Sequence, residues 1–257
     1  MSSATTPRQA GATLKQQLVD DLGAMIVSGD IEPGTVLQLE AEAARWGVSL
    51  SVVREAVSVL ASLCLVESRR RLGTTVRPRS DWSHTSPEII AWKLRDPAQR
   101  ADQFRWLVEL RQALEPSAAW LAAGHRSDEA AARLLVLAQL LDDSAHHSDL
   151  PGFLEADTEF HELVFEQSGN PLFSGMAQQM DVVLSARHHF GLMPPTPDLV
   201  AVRFHEQMAA AIAQRNPDEA RAASARIVEH ASREFLEDVI RRSPAGEKVT
   251  RSGPAPS

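Results

Sequence analysis

Cysteine is almost absent from this chain of 257 residues. Its one cysteine, Cys64, excludes an internal disulfide, and there is no CxxC pair of the kind that redox and zinc motifs use. The first twelve residues contain no apolar segment like that of a signal peptide, and no apolar run approaches the roughly 18 residues that a membrane helix needs. We therefore expect a cytoplasmic protein without a membrane partner.

Acidic residues outnumber basic ones, and the net charge is −8. The imbalance lies in residues 80–257, with 17 Lys+Arg against 26 Asp+Glu, whereas residues 1–79 hold nine against eight. Between Ser68 and Arg79 there are five arginines and no acid. Such a strip can bind a polyanion despite the global charge, because screened fields act within about 10 Å. A solvated run of charges is the alternative interpretation.

Residues 13–78 predict a winged helix-turn-helix. Apolar spacing predicts a helix over 13–28 with Thr13 as its cap, a short helix over 39–46, and a helix that Ser49 caps. The following "LVESRRRLGTTVRP" predicts a hairpin of Leu65–Ser68 and Thr74–Val76 with a basic tip that closes at Gly73. This order of three helices and a hairpin is typical of a DNA-reading domain.

The third helix of this domain would enter the major groove of double-stranded DNA. Arg54 is placed to read a guanine edge, and the arginines of the hairpin would meet phosphates or the minor groove. A surface arginine paired with Glu55 or Glu42 is the alternative for Arg54. The residues predicted to contact DNA are Arg45, Ser49, Ser51, Arg54, Arg69, Arg70, Arg71 and Gly73.

The rest of the chain is predicted to be mainly α. Residues 79–97 form a connector whose tryptophans and isoleucines dock onto a domain, and residues 98–242 form an all-α bundle of about six helices. Ser127 and Asn216 are predicted N-caps in this bundle, with Pro217 as a first helical residue. Residues 1–12 and 243–257 are predicted to be disordered.

Two polar side chains lie a helical turn apart in "EADTEFHELVFEQSGNPLF". Asp157 and His161 fall on one helix face. The three interpretations of this pair are half of a metal site, a general acid/base pair and a polar surface patch. His205 lies 44 residues further on, on another predicted helix. Bundle interiors hold Asp/Glu/His metal sites, and mixed imidazole and carboxylate ligands suit Zn²⁺, Ni²⁺ or Mn²⁺.

Arg111 falls on an otherwise apolar helix stripe and needs an anionic partner if it is buried. Glu115, one turn on, is one candidate, and the carboxylate of a ligand is the other. Arg187 and His188, in "SARHHFG", are further candidates for effector contacts.

These motifs resemble a known family of bacterial transcription regulators. The stretch "IEPGTVLQLEAEAARWGVSLSVVREAVSVLASLCLVESRRRLGTTV" resembles the DNA-binding domain of GntR-type regulators. The pieces around Leu110-Arg111, Asp157 to Pro171 and His205 to Ile212 resemble the FCD effector domain of the FadR-like branch. The connector "WSHTSPEIIAWKL" is similar to that of sugar-acid regulators, such as galactonate-type regulators. This chain has Leu50 where the family has a DNA-contacting arginine, and Cys64 where it has glycine.

The resemblance implies a metal site of one aspartate and three histidines. Asp157, His161 and His205 would supply three of the four ligands, but the position of the family's last histidine is occupied by Ile227 here. His230, three residues further, could replace that ligand, contact the effector or do neither. A metal-free pocket in which these residues bind the effector directly is the alternative.

Together these features predict a ligand-responsive, homodimeric transcription regulator that binds a palindromic operator. The resemblance implies a repressor of a carbohydrate-acid or other small-carboxylate operon, released by its effector. The alternatives are a metal-dependent hydrolase or lyase that uses Asp157, His161 and His205, and a constitutive architectural DNA binder. No nucleophile or separate general base accompanies the cluster, which disfavours the enzyme.

Overall fold

The computed structural model describes residues 13–177 and 198–242, with side chains described up to residue 233. The described residues form two compact units that divide between Arg100 and Ala101. The first contains helices and a small sheet, and the second contains only helices, which confirms the predicted fold class. No described helix is long and apolar enough to cross a membrane. The disorder predicted for residues 1–12 and 243–257 lies outside the described residues.

Three helices open the first unit: α1 (Leu14–Ser28), α2 (Leu39–Trp46) and α3 (Leu50–Ser62). The predicted caps are confirmed, because Thr13 accepts a hydrogen bond from the Gln16 N–H and Ser49 accepts one from the Val52 N–H. Between α2 and α3, Gly47 takes the left-handed conformation with φ 63°. That conformation suits glycine and allows the tight helix-turn-helix turn.

The wing is a three-stranded antiparallel sheet in the order β1-β3-β2. Strands β2 (Val66–Arg69) and β3 (Gly73–Val76) form the predicted hairpin, with bounds that differ by one residue from the prediction. The sequence did not predict β1 (Val36–Leu37), in which Val36 pairs with Thr75. A strand of two residues is too short to show the alternation that identifies strands.

The segment predicted as a connector packs onto α1. It contains a short 3₁₀ turn, Arg79–Asp81, and helix α4 (Pro87–Arg95), which Ser86 caps. The indole of Trp92 covers Gly23 of α1, and its Nε1–H donates to Asp20 Oδ1 at 3.2 Å. The segment predicted as a connector therefore belongs to the first compact unit, which ends at Arg100.

The described residues of the second unit form one very short helix and five long ones. The predicted caps Ser127 and Asn216 are confirmed, as is Pro217 as a first helical residue. The helix predicted over residues 172–190 begins as the short α8, and its part beyond residue 177 lies outside the described residues. The helices are α5 (Arg100–His125), α6 (Asp128–His146), α7 (Leu150–Gln167), α8 (Pro171–Ser174), α9 (Leu199–Ala213) and α10 (Pro217–Arg242).

Two arginines fasten the ends of α5 and α9 to each other. Arg126 Nε donates to the carbonyl of Ile212 at 3.3 Å, and Arg215 Nη1 donates to the carbonyl of Gly124 at 3.1 Å. Each guanidinium thus satisfies carbonyls at the C-terminal end of the other helix, where no intrahelical donor is available. These hydrogen bonds of Arg126 and Arg215, the arginine clasp, hold α9, and with it His205, against α5.

We predict that Gly23→Ala destabilises the protein although it improves helix propensity. Alanine should favour α1 by about 1 kcal/mol, but its Cβ would overlap the indole of Trp92, and such overpacking costs about 1–3 kcal/mol. The free energy of unfolding, measured by urea titration, should therefore fall, by up to about 2 kcal/mol.

The matched control places Gly23→Ala in a Trp92→Ala background. There the Cβ meets no indole, so Gly23→Ala should raise the free energy of unfolding by about 1 kcal/mol relative to Trp92→Ala alone. An equal effect of Gly23→Ala in both backgrounds would contradict the contact between α1 and α4.

Candidate functional site

Asp157 and His161 lie on the buried face of α7. Asp149 begins this helix by accepting a hydrogen bond from the Gly152 N–H at 3.2 Å. The four-residue spacing then places Asp157 and His161 one turn apart, and both side chains are buried. The structure thus contradicts the alternative that they form a polar surface patch.

His205 of α9 completes a cluster with this pair. Its Nε2 lies 3.1 Å from Asp157 Oδ1 and 3.3 Å from His161 Nε2. The distance between His161 Nε2 and Asp157 Oδ1 is 3.7 Å. Among the described residues, these three form the group of Asp, Glu, His or Cys side chains whose ligand atoms lie close enough together to hold a metal ion.

The outer nitrogens of both imidazoles face acceptors. His205 Nδ1 lies 2.8 Å from the carbonyl oxygen of Ala201, so a neutral His205 carries its proton there and leaves a lone pair on Nε2. His161 Nδ1 faces Glu115 Oε2 at 3.6 Å. A carboxylate or carbonyl behind the ring is the common arrangement of metal-binding histidines. Three electron-pair donors therefore converge in the interior.

The size of the cluster fits a transition-metal ion. The circle through the three converging atoms has a radius of roughly 2.0 Å, which is the distance at which Zn²⁺ binds imidazole nitrogen and carboxylate oxygen. A cation close to the centre of the three atoms would thus contact all of them without rearrangement of the helices. The donor set of two imidazoles and one carboxylate is one that Zn²⁺, Ni²⁺ and Mn²⁺ accept.

The electrostatics of the cluster favour the forms that bind metal. Burial alone would raise the pKa of Asp157, but a proton on Nε2 of His205, which gives the carboxylate a hydrogen bond, and the positive charge of Arg111 hold that pKa well below its ordinary value. A divalent cation would take the place of that proton on Nε2. Burial lowers the pKa of His161 below its ordinary value, although the nearby carboxylates oppose this shift. An ionised carboxylate and a neutral imidazole are the protonation states that a metal ligand needs.

Arg111 is 1% exposed and lies beside the cluster. Its Nε and Nη2 donate to the two oxygens of Glu115, the latter over 3.3 Å. Burial alone would raise the pKa of Glu115, but the charge of Arg111 holds it below its ordinary value. Of the two partners considered for Arg111, the structure shows Glu115. The sequence did not indicate that Glu115 also faces His161, because that contact joins different helices.

The structure does not bring His230 into the converging group. Its Nε2 lies 2.7 Å from Asp198 Oδ2, while Asp198 Oδ1 accepts a hydrogen bond from the Val200 N–H at the start of α9. Ile227 is buried in the apolar core of the second unit. His230 thus secures the beginning of the helix that carries His205.

An aromatic side chain that the sequence analysis did not single out lies against both imidazoles. The ring of Phe160 meets those of His161 and His205 edge to face, at centroid distances of 5.9 and 5.2 Å. Its position next to His161 in "EFHEL" was the available signal. The predicted effector contacts Arg187 and His188 lie outside the described residues.

The exposed face of α3 carries Arg54 and Ser51. The two acids considered as partners of Arg54 pair elsewhere, since Glu55 lies 3.9 Å from Lys15 and Glu42 lies 3.8 Å from Arg45. Among the described residues, no acid forms an ion pair with Arg54. Its guanidinium is therefore available to a ligand outside the protein.

Two other predicted contacts have roles inside the protein. The Ser49 hydroxyl oxygen caps α3, which leaves its O–H free to donate to a phosphate. Arg45 lies over the ring of Trp46 at 5.7 Å and beside the sulfur of Met25, so its guanidinium is partly engaged.

The three arginines of the wing are exposed but not equivalent. Arg69 forms an ion pair with Glu67, whereas Arg70 and Arg71 have no acidic partner among the described residues. Arg71 and Gly73 both adopt left-handed conformations, with φ 69° and 83°. The tip of the wing therefore presents two unneutralised cations.

Comparisons with known proteins agree with this arrangement of a winged helix and a helical domain. The sequence matches the FCD domain over residues 107–230 and the bacterial regulatory proteins of the gntR family over residues 14–76. It is 30% identical to the HTH-type transcriptional regulator YieP of Escherichia coli (strain K12) over 214 residues, which are 82% of this chain and 90% of YieP.

A second relative is the galactonate operon transcriptional repressor of Escherichia coli (strain K12). It is 30% identical over 175 residues, which are 66% of this chain and 72% of the repressor. Among solved structures, the chain is similar to Lar, which controls the expression of the Listeria monocytogenes agr system, with a TM-score of 0.57. That likeness covers 89% of this chain and 99% of Lar at 18% identity, and it supports the fold alone.

We predict that Arg111→Met destabilises the protein strongly because it leaves the buried carboxylate of Glu115 without its partner. Removal of one member of a buried ion pair lowers the free energy of unfolding by about 3–5 kcal/mol. The double variant Arg111→Met/Glu115→Leu should recover most of this loss, as measured by urea titration.

The matched control is Arg105→Ala, which removes an exposed arginine of the same helix that also pairs with an acid one turn on, Glu109. We expect it to change stability little. A double variant of Arg111 and Glu115 that is no more stable than Arg111→Met would contradict the proposed dependence of the two charges on each other.

Proposed function

The chain belongs to the GntR family of bacterial regulatory proteins and carries an FCD domain, and on this premise we propose that it is a metal-dependent transcriptional repressor. A small carboxylate, the effector, binds at the metal and releases the protein from its operator. The observation that carries this proposal is the convergence of Asp157, His161 and His205 inside the helical domain of a DNA-binding regulator.

The three converging residues would hold a divalent cation, either Zn²⁺, Ni²⁺ or Mn²⁺. When bound, the cation supplies positive charge and coordination positions that the three side chains leave open. Glu115 and the Ala201 carbonyl orient the two imidazoles, and Phe160 limits the rotation of both rings. His230 acts at the start of α9 through Asp198 in this proposal.

Charge supports a carboxylate as the effector. Among the described residues at the site, Asp157, Glu115 and Arg111 leave one net negative charge, so a divalent cation would leave one net positive charge. An effector with a single carboxylate would neutralise it in an interior where an uncompensated charge is costly. The likeness to the galactonate operon repressor supports a sugar acid or another 2-hydroxy acid. Arg187 and His188 remain proposed contacts of this effector.

The winged helix would bind the operator as part of a homodimer, with each copy on one half of a palindrome. Arg54 would read base edges at the start of α3, and the wing would contact the backbone or minor groove. The effector would act by binding more tightly to the arrangement of the dimer that does not fit the operator. Membership of a family of regulators disfavours the hydrolase or lyase that the metal ligands alone would allow.

If Asp157, His161 and His205 hold a metal ion as proposed, the His161→Ala protein should lose the bound cation. Because loss of a residue behind a metal ligand already costs about 10–100-fold in affinity, removal of the ligand itself should lower Zn²⁺ affinity by at least roughly 100-fold. The measurement is a competition titration against a chromogenic chelator, with elemental analysis of the dialysed protein.

His230→Ala is the matched control, since it removes a histidine of the same unit that pairs with Asp198. It should retain Zn²⁺ affinity within a few-fold. A loss equal to that of His161→Ala would make His230 a ligand, and a wild-type protein that binds none of the three cations would refute the metal centre.

The regulatory function predicts that DNA binding ends when metal and effector are both present. An operator selected from random-sequence duplexes should be released by a panel of 2-hydroxy and sugar acids only after metal loading, as fluorescence anisotropy would show. Asp157→Asn should bind the operator and ignore the acids, because it lacks the centre that recognises them.

Arg54→Ala separates DNA reading from sensing. It should load metal like the wild type but lose at least roughly tenfold in specific affinity at fixed salt, since a bidentate arginine–guanine contact is worth about 1–3 kcal/mol. Unchanged affinity would remove Arg54 from the reading face. Turnover of any acid in the panel would favour an enzyme.

A further inference from the structure

The exposed turn of the wing carries an apolar side chain. Leu72 lies in the turn between β2 and β3 and is 65% exposed, and its backbone N–H donates to the Arg69 carbonyl at 3.1 Å. Neighbouring apolar residues of the hairpin behave differently, because Val66 and Val76 are buried. The hairpin thus places its core side chains inward and one leucine at the tip.

The surroundings of Leu72 are positively charged. Arg70 and Arg71 precede it without an acidic partner among the described residues, while the charge of Arg69 is offset by Glu67. A partner for this tip must therefore be a polyanion that also offers an apolar surface. The minor groove of DNA has both properties, because phosphates border it and its interior accepts apolar side chains.

Contacts within the hairpin brace the strands directly below the tip. The hydroxyl groups of Ser68 and Thr74 lie 2.8 Å apart across the strands, and Thr74 is buried. Leu72 is flanked by the left-handed Arg71 and Gly73. A side chain on a hairpin braced by cross-strand contacts loses less conformational freedom on binding than one on an unbraced loop.

On the basis of the operator binding proposed above, we propose that Leu72 is a specificity-determining residue of the operator interface, which inserts into the minor groove and favours A·T pairs there. Guanine carries a 2-amino group on the floor of this groove, whereas A·T pairs carry only acceptors. That amino group would meet the leucine side chain and keep it from the floor. Arg70 and Arg71 would contact the bordering phosphates and hold the tip in place.

The test uses the full chain and the duplex selected from random sequences. Base pairs opposite the wing are replaced one at a time by G·C and by inosine–cytosine, which lacks the 2-amino group. G·C should lower affinity roughly tenfold, the usual scale for one unfavourable base pair, and inosine–cytosine should restore it. A penalty that inosine–cytosine does not relieve would mean that the wing reads no minor groove there, and would overturn the proposal.

Variants of the wing separate the apolar contact from the charges. Leu72→Ala should lower affinity for the selected duplex several-fold and reduce the G·C penalty, with an unchanged slope of log affinity against log salt. Leu72→Met should retain the G·C penalty. Arg70→Ala, the matched control, should lower affinity for all duplexes and reduce the salt slope by about one phosphate contact.

Two results would refute the role of Leu72. One is a Leu72→Ala protein that keeps both the affinity and the G·C penalty of the wild type, as expected of an isolated exposed leucine. The other is binding to vesicles of anionic phospholipid that depends on Leu72 while DNA binding does not, which would make a lipid surface the partner of the tip.

Discussion

Three electron-pair donors that face one another in a buried interior impose the main constraint on the helical unit. Oxygen and nitrogen lone pairs about 3–4 Å apart repel unless a proton or a cation lies between them. The sequence places these donors on α7 and α9, and it places Glu115 and the Ala201 carbonyl behind the rings. Neither imidazole can rotate away without losing such a contact. The helices therefore hold the three donor atoms close together, and a bound cation would remove the repulsion between them.

The surrounding structure can be understood from this constraint. The bond between His230 and Asp198 fixes one end of α9, and the arginine clasp fixes the other. Arg111 compensates Glu115 so that a second carboxylate can remain ionised near Asp157. A ligand that changes charge or coordination at the centre would therefore act on three helices at once, which is the physical requirement for a sensor.

Local patterns allowed much of the fold to be predicted. Caps such as Thr13 and Ser49, the turn at Gly47 and the spacing of Asp157 and His161 depend on neighbours within four residues, and all are present in the structure. Features that depend on distant partners were missed, including β1 and the contact of Glu115 with His161. For His230, a position three residues after Ile227 did not reveal where its side chain points, and in the structure its Nε2 pairs with Asp198.

The left-handed conformation of Arg71 has a consequence for the free protein. A residue with a Cβ loses about 1–2 kcal/mol in that conformation, whereas glycine does not. Glycine at this position would relieve that strain but would let the tip of the wing sample many shapes in solution. With arginine there, fewer conformations of the tip compete with the conformation that binds. Part of the conformational entropy that binding would otherwise cost is therefore lost already during folding. A small cost in stability would thus reduce the entropy that the wing loses if it binds DNA as proposed.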